Sequence, residues 1–202
     1  YVPKISPHIL QNTTIYYLIL QIIVKLCLSN LLIIIHISSN FLNIYVFNMS
    51  ISKTLKIFNK KGSVLAFTNY GASLKSWNFE LNENNKVDVV LGYKNEINYK
   101  TNPLYLGSIA GRYANRISNG RFNLNNINVN LTQNDNGNHL HGGHKGFSSK
   151  HWDVVDHKTN TLILSLESRD QDENYPGTLK TTVSYPINYL NELEVAFYAF
   201  SD

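Results

Sequence analysis

The first 48 residues contain no Asp or Glu, and only Lys4 and Lys25 carry a formal charge there. The whole chain of 202 residues has one Cys, Cys27, and one Met, Met49. A lone Cys excludes an internal disulfide framework and a Cys-based metal site. It also fits a reducing compartment, so a cytoplasmic location is expected. Cations are few and scattered: the net charge is +4, with no Lys/Arg stripe or cluster. A nucleic-acid partner, which needs such a stripe along its phosphates, is therefore not expected. Beyond Met49 no stretch keeps a helical period for three turns, which excludes a parallel sheet with crossover helices. There is no P-loop, no HExxH helix and no GxSxG elbow, so the commonest nucleotide, metalloprotease and hydrolase signatures are missing.

Residues 1–48 differ in composition from everything after them. The run from Ile15 to Ile37 is long enough to cross a bilayer core. Gln21, Lys25, Ser29 and Asn30 interrupt it, and a mid-span Lys is costly there. Three origins are open: a membrane anchor, a buried helix or strand pair, or translated upstream sequence that is not native protein. The last is favoured, because MSISKTLKIF from Met49 reads as a normal start leading into a strand. Residues 1–48 are thus expected to be an atypical hydrophobic leader, and residues 49–202 the folded portion. A membrane partner is not expected unless residues 15–37 are a genuine anchor.

After Met49 the chain is rich in Asn, notably Asn82–Asn85 and Asn123–Asn138. Asn favours turns and tolerates left-handed backbone. Short β-branched and aromatic segments recur between such turns. The pattern predicts strands over 55–58, 64–68, 74–81, 87–91, 122–124, 127–131, 162–166, 178–185 and 193–198. Asn125-Asn126 is a hairpin signal. An all-β sandwich is the natural class.

Two stretches are not explained by strand alternation: GSIAGRYANRISNG over 107–120, and GNHLHGGHKG over 137–146. The intervening hairpin could return the chain so that both meet on one face. Arg112 and Arg116 lie four apart among small residues. An Arg beside an Asn can grip vicinal sugar hydroxyls; the alternative is a structural Arg bound to a carboxylate or to loop carbonyls. His141 stands beside Gly142 and Gly143, which admit close ligand approach. Imidazole donates or accepts a proton near neutral pH. His139, His141 and His144 could suggest a metal, but no recognised ligand spacing or local carboxylate completes a site, so no metal is expected. His139, His144, His151 and His157 read as structural or exposed.

GRYANRISNGRF, then NHLHGGHKGF, His151-Trp152, DENYPG and TLKTTVSYPINYLNELEVAFYAFSD follow in order. This series resembles the aldose 1-epimerase (galactose mutarotase) family, over roughly Leu55 to Asp202. The resemblance implies a galactose mutarotase-like β-sandwich (supersandwich), here truncated. It implies that Asn115 and Arg116 contact a sugar, and that His141 is an active-site His held near the ring oxygen and C1. The family's proton-donating His, a substrate-binding Asp and the general-base Glu would fall beyond Asp202. One departure is visible: DNGNH precedes His141 where many relatives have Gly-x-Asn.

The implied reaction interconverts α and β anomers of free aldohexoses such as galactose and glucose. A carboxylate deprotonates the C1 hydroxyl, an imidazolium protonates the ring oxygen, and the opened aldehyde recloses on its other face. Both steps are proton transfers, so no cofactor is implied. Trp152 and Tyr113 could stack on a sugar, although core or loop packing explains each more simply. The partner would be a small sugar, and this chain alone is expected to be inactive. Three alternatives remain: a non-catalytic carbohydrate-binding protein on the same scaffold; an epimerase of hexose 6-phosphates, which would want more positive charge; and a membrane-tethered structural protein, which rests only on residues 15–37.

Overall fold

The computed structural model of the protein describes residues 22–28, 31–38, 41–48, 53–82 and 85–202. The residues group into two units that divide between Ile51 and Ser52. In the first, three strands, β1 (Ile22–Leu28), β2 (Leu31–Ser38) and β3 (Phe41–Asn48), form an antiparallel meander. The apolar run from Ile15 to Ile37 lies partly outside the described residues; its described part is strand. Among the described residues no helix is long and apolar enough to cross a membrane, which says nothing of strand-built barrels.

The second unit holds two four-stranded antiparallel sheets. The first runs in chain order through β4 (Thr54–Phe58), β5 (Val64–Thr68), β6 (Ser73–Asn82) and β7 (Asn85–Asp88). After it come β8 (Arg116–Ile117), the hairpin β9 (Arg121–Leu124) and β10 (Ile127–Asn130), and β11 (His139–Leu140). The second sheet runs through β12 (Asp153–His157), β13 (Thr161–Ser168), β14 (Leu179–Pro186) and β15 (Ala196–Ser201). Helix appears among the described residues of this unit only as short 3-10 turns, such as Glu96–Lys100 and Asp172–Asn174.

Alternation explains the burial. In β13, Leu162, Leu164 and Leu166 point inward; in β14, Thr181, Val183 and Tyr185 do. The leucines, Val183 and Tyr185 meet Leu55 and Ile57 of β4 and Leu65 and Phe67 of β5 in one core. Each fully buried aliphatic side chain contributes about 1.5–3 kcal/mol. Polar bonds tie the two sheets together. Tyr185 donates its hydroxyl proton to the Ala72 carbonyl at 2.8 Å, and the Phe58 N–H donates to the Thr159 carbonyl at 2.6 Å. Trp152 is buried in this core, with Nε1 donating to the Phe147 carbonyl at 3.1 Å. Its place is therefore packing, not a sugar platform.

Three local differences from the strand pattern have physical causes. The strand expected over 87–91 ends at Asp88. There the Asp88 carboxylate accepts the N–H groups of Trp77 and Val90, taking over from the ladder. The strand expected over 193–198 begins at Ala196, because Asn188 organises the preceding turn by accepting from Leu190 and Glu192. β12 was not expected; its consecutive residues Asp153, Val154 and Val155 are all exposed and give no alternation to read. The Asn125-Asn126 hairpin forms, both residues with positive φ, as the sequence predicts.

Candidate functional site

β8 and β11 are only two residues each, yet they bring the two unusual stretches together. They pair antiparallel, with Leu140 opposite Arg116 and His139 opposite Ile117. The β9–β10 hairpin supplies the reversal between them. Next to this pairing, Asn115 and His141 exchange hydrogen bonds. The Asn115 N–H donates to His141 Nδ1 at 3.0 Å, and the His141 N–H donates to the Asn115 carbonyl at 3.1 Å. Asn115 has φ 65° and His141 φ 51°, a left-handed turn that Asn accepts more easily than most residues.

A donor on Nδ1 requires a lone pair there. The neutral ring therefore carries its proton on Nε2. Burial first, and the nearby Arg116 cation second, hold the His141 imidazole below its ordinary pKa. Near neutral pH His141 is an uncharged ring presenting an Nε2–H donor. The Tyr105 ring meets its edge, with centroids 4.7 Å apart.

Gly142, at φ +89°, follows directly. A Cβ there would collide with the Gly111 carbonyl and the Arg112 N, both backbone atoms. Only glycine lets the His141 loop lie this close to the Gly111 segment.

Arg116 is half-exposed, and its Nε donates to Asp135 Oδ2 at 2.6 Å. Asp135 belongs to the DNGNH departure, and its turn is closed by backbone bonds with Asn138. The departure thus places a carboxylate on the Arg116 guanidinium. An exposed pair of this kind is worth only ~0–1 kcal/mol, so its effect is on aim rather than stability. Arg112 is different. Its Nε donates to Ser168 Oγ at 3.0 Å, Nη1 to the Pro176 carbonyl at 3.1 Å, and Nη2 to the Ser168 and Arg169 carbonyls at 2.7 and 2.8 Å. It also lies over the Tyr175 ring, 5.5 Å from the centroid. Arg112 is a structural brace.

The remaining histidines lie elsewhere. His139 is fully buried. Its Nδ1 donates to the Thr132 carbonyl, leaving Nε2 for the Tyr175 hydroxyl, each at 2.7 Å. His144 is exposed, His151 packs edge-on to Tyr70, and His157 Nε2 donates to the Lys56 carbonyl. Among the described residues no three His, Cys, Asp or Glu gather as a metal site would need. Tyr113 is 53% exposed. A cleft of about 160 Å³ opens beside the His141 loop, with Tyr99, Tyr105, His144 and Ser148 on its walls. A larger recess of about 760 Å³, among Phe58, Thr159, Ile187 and Tyr189, contains none of these groups.

Sequence reading missed Tyr105, Asp135 and Glu173. The two acids stand in Asn/Gly-rich turns, where the only visible signal is a turn. Asn115, Arg116 and His141, which it did single out, lie together.

Comparison with known proteins decides the family. The family described as aldose 1-epimerase matches residues 53–202. The chain belongs to that family. The aldose 1-epimerase of Escherichia coli K12 is 31% identical over 150 residues, 74% of this chain and 43% of that protein. Rat galactose mutarotase is 39% identical over 101 residues, 50% of this chain and 29% of that protein. The crystal structure of an aldose epimerase homologue from C. elegans superposes with TM-score 0.72 at 30% identity, over 75% of this chain and 47% of that one. The two packed sheets are therefore the mutarotase-like β-sandwich. The chain spans less than half the length of these aldose 1-epimerase family relatives.

Proposed function

We propose that this chain carries the sugar-holding part of an aldose 1-epimerase acting on free aldohexoses such as galactose and glucose, in the cytoplasm. The observation that carries the reading is the reciprocal Asn115–His141 pair. It fixes the imidazole and leaves Nε2–H free to donate to a sugar oxygen. Arg116 stands beside it, with its Nε engaged by Asp135 and its guanidinium still half-exposed. A neutral donor and a cation at one spot suit charge building on the ring oxygen as it leaves C1.

The lowered His141 pKa favours holding over proton delivery. A group that is neutral at pH 7 donates a hydrogen bond readily but supplies no imidazolium proton. Protonation of the ring oxygen and deprotonation of the C1 hydroxyl then belong to groups other than His141, and the expectation for this chain is that it holds the sugar without catalysing. Free sugars suit the site better than hexose 6-phosphates, because its Arg is already paired with a carboxylate.

Two measurements test this. Galactose titration followed by NMR should show saturable binding to the unsubstituted chain, weakened roughly tenfold or more in His141→Ala. Polarimetry of fresh α-glucose should give the buffer rate. Binding that survives His141→Ala unchanged would overturn the sugar-holding role; mutarotation clearly above buffer would overturn the division of labour.

A further inference from the structure

We propose that Glu173 is a positioning residue for His141, acting by holding the backbone of the loop that carries it. The inference rests on reading His141 as a sugar-holding group. The Glu173 carboxylate accepts two backbone N–H groups, from Lys145 at 2.7 Å and His144 at 3.2 Å. Two convergent donors on one carboxylate make charge-assisted bonds, the stronger kind. His141 is thus held between two fixed points: Asn115 on one side, and Glu173 three and four residues further on.

Glu173 can hold a loop only if it is held itself. Its neighbours see to that. Asp172 accepts from Lys150 Nζ and from Ser168 Oγ, each at 2.6 Å. Tyr175 is tied to buried His139 through its hydroxyl. The Glu173 carbonyl accepts from the Thr132 N–H at 3.4 Å. Arg112 binds carbonyls at both ends of the same turn, at Ser168, Arg169 and Pro176. The Asp172–Pro176 turn is therefore a rigid stand, and Glu173 is its contact with the loop.

The loop keeps other bonds when Glu173 is removed. The Gly143 N–H still donates to the Leu140 carbonyl, and the Phe147 N–H to that of Gly111. The freed N–H groups belong to exposed residues, where water can satisfy them. The outcome of Glu173→Ala is then a loosened loop in a folded protein, with His141 losing its aim.

The test uses the full 202-residue chain with ¹⁵N-labelled histidine. The Nδ1 resonance of His141 reports its bond from Asn115, and that of His139 serves as an internal reference in the same spectrum. In Glu173→Ala the His141 Nδ1 signal should move or broaden while that of His139 stays. Glu173→Gln, whose amide oxygen can still accept from Lys145, should fall between the two, and it carries the test if the Ala variant does not fold. An unchanged His141 signal, or equal changes at His139 and His141, overturns the proposal. Galactose affinity should fall roughly tenfold in Glu173→Ala, as expected for a displaced binding group. If the unsubstituted chain binds no galactose, the functional reading fails, and the imidazole spectrum still decides the role of Glu173.

Discussion

Replacing Gly142 by Ala separates two costs that glycine avoids. One is backbone strain: a non-Gly residue in the left-handed region costs about 1–2 kcal/mol. The other is space: a Cβ at 142 would overlap the Gly111 carbonyl and Arg112 N. Those are backbone atoms, so no rotamer change relieves the contact, and overpacking of this kind adds roughly 1–3 kcal/mol. Gly142→Ala should therefore cost roughly 2–5 kcal/mol in total. Gly137 provides the control. It too has positive φ, +82°, but a Cβ there meets nothing within 4 Å. Gly137→Ala should cost only the strain, about 1–2 kcal/mol. Urea unfolding of both variants measures the difference, and the thermal midpoints should differ by at least ~2–4 °C, the shift per kcal/mol for a chain of this size. The galactose titration should register Gly142→Ala far more strongly, since that glycine abuts His141. Equal losses in the two variants would refute the claim that close approach, not φ alone, selects Gly142.

Arg112→Lys keeps the charge but not the fork that reaches Ser168, Arg169 and Pro176; a loss of roughly 2–4 kcal/mol in urea unfolding is expected, and a loss below ~0.5 kcal/mol, the usual range of an unimportant surface change, would contradict the brace. The His141 imidazole is held below its ordinary pKa, so the unfolded chain takes up that proton first as pH falls. Its contribution to stability is full above about pH 6.5, the ordinary His value, and is lost as pH drops through the lowered folded value. His151 is shifted the same way, mainly by burial and then by Lys100. Thermal midpoints measured from pH 7.5 to 5 should therefore fall, and the fall should be shallower in His141→Gln. Protonating Nδ1 also sets two donors facing each other at Asn115, so galactose affinity should decline over the same range.

The strands were largely legible because their cause is local. Leu162, Leu164 and Leu166 recur at every second position, with Thr161, Ile163, Ser165 and Glu167 on the opposite side, and a half-buried strand needs nothing more. The Asn125-Asn126 turn was legible for the same reason. β12 was not, because Asp153, Val154 and Val155 of this edge strand are all exposed, with no burial period to detect. At the site, His141 and Arg116 stood out through unusual neighbours. Which of Arg112 and Arg116 braces and which faces outward could not be read from their spacing. That choice depends on carbonyls at 168, 169 and 176, which lie 56 to 64 residues further along the chain than Arg112. Asp135 and Glu173 escaped for the same reason: their partners are tertiary.

The stand formed by residues 172–176 bears on how portable this site is. The His-Gly-Gly loop looks like a self-contained module, short and bounded by glycines. Its geometry, however, is borrowed from a turn in another part of the chain. A transplant of residues 137–146 onto a different sandwich would carry over the letters of the motif and leave behind what aims them. Any scheme that recombines or redesigns this scaffold has to treat the loop and the Asp172–Pro176 turn as one inheritable unit.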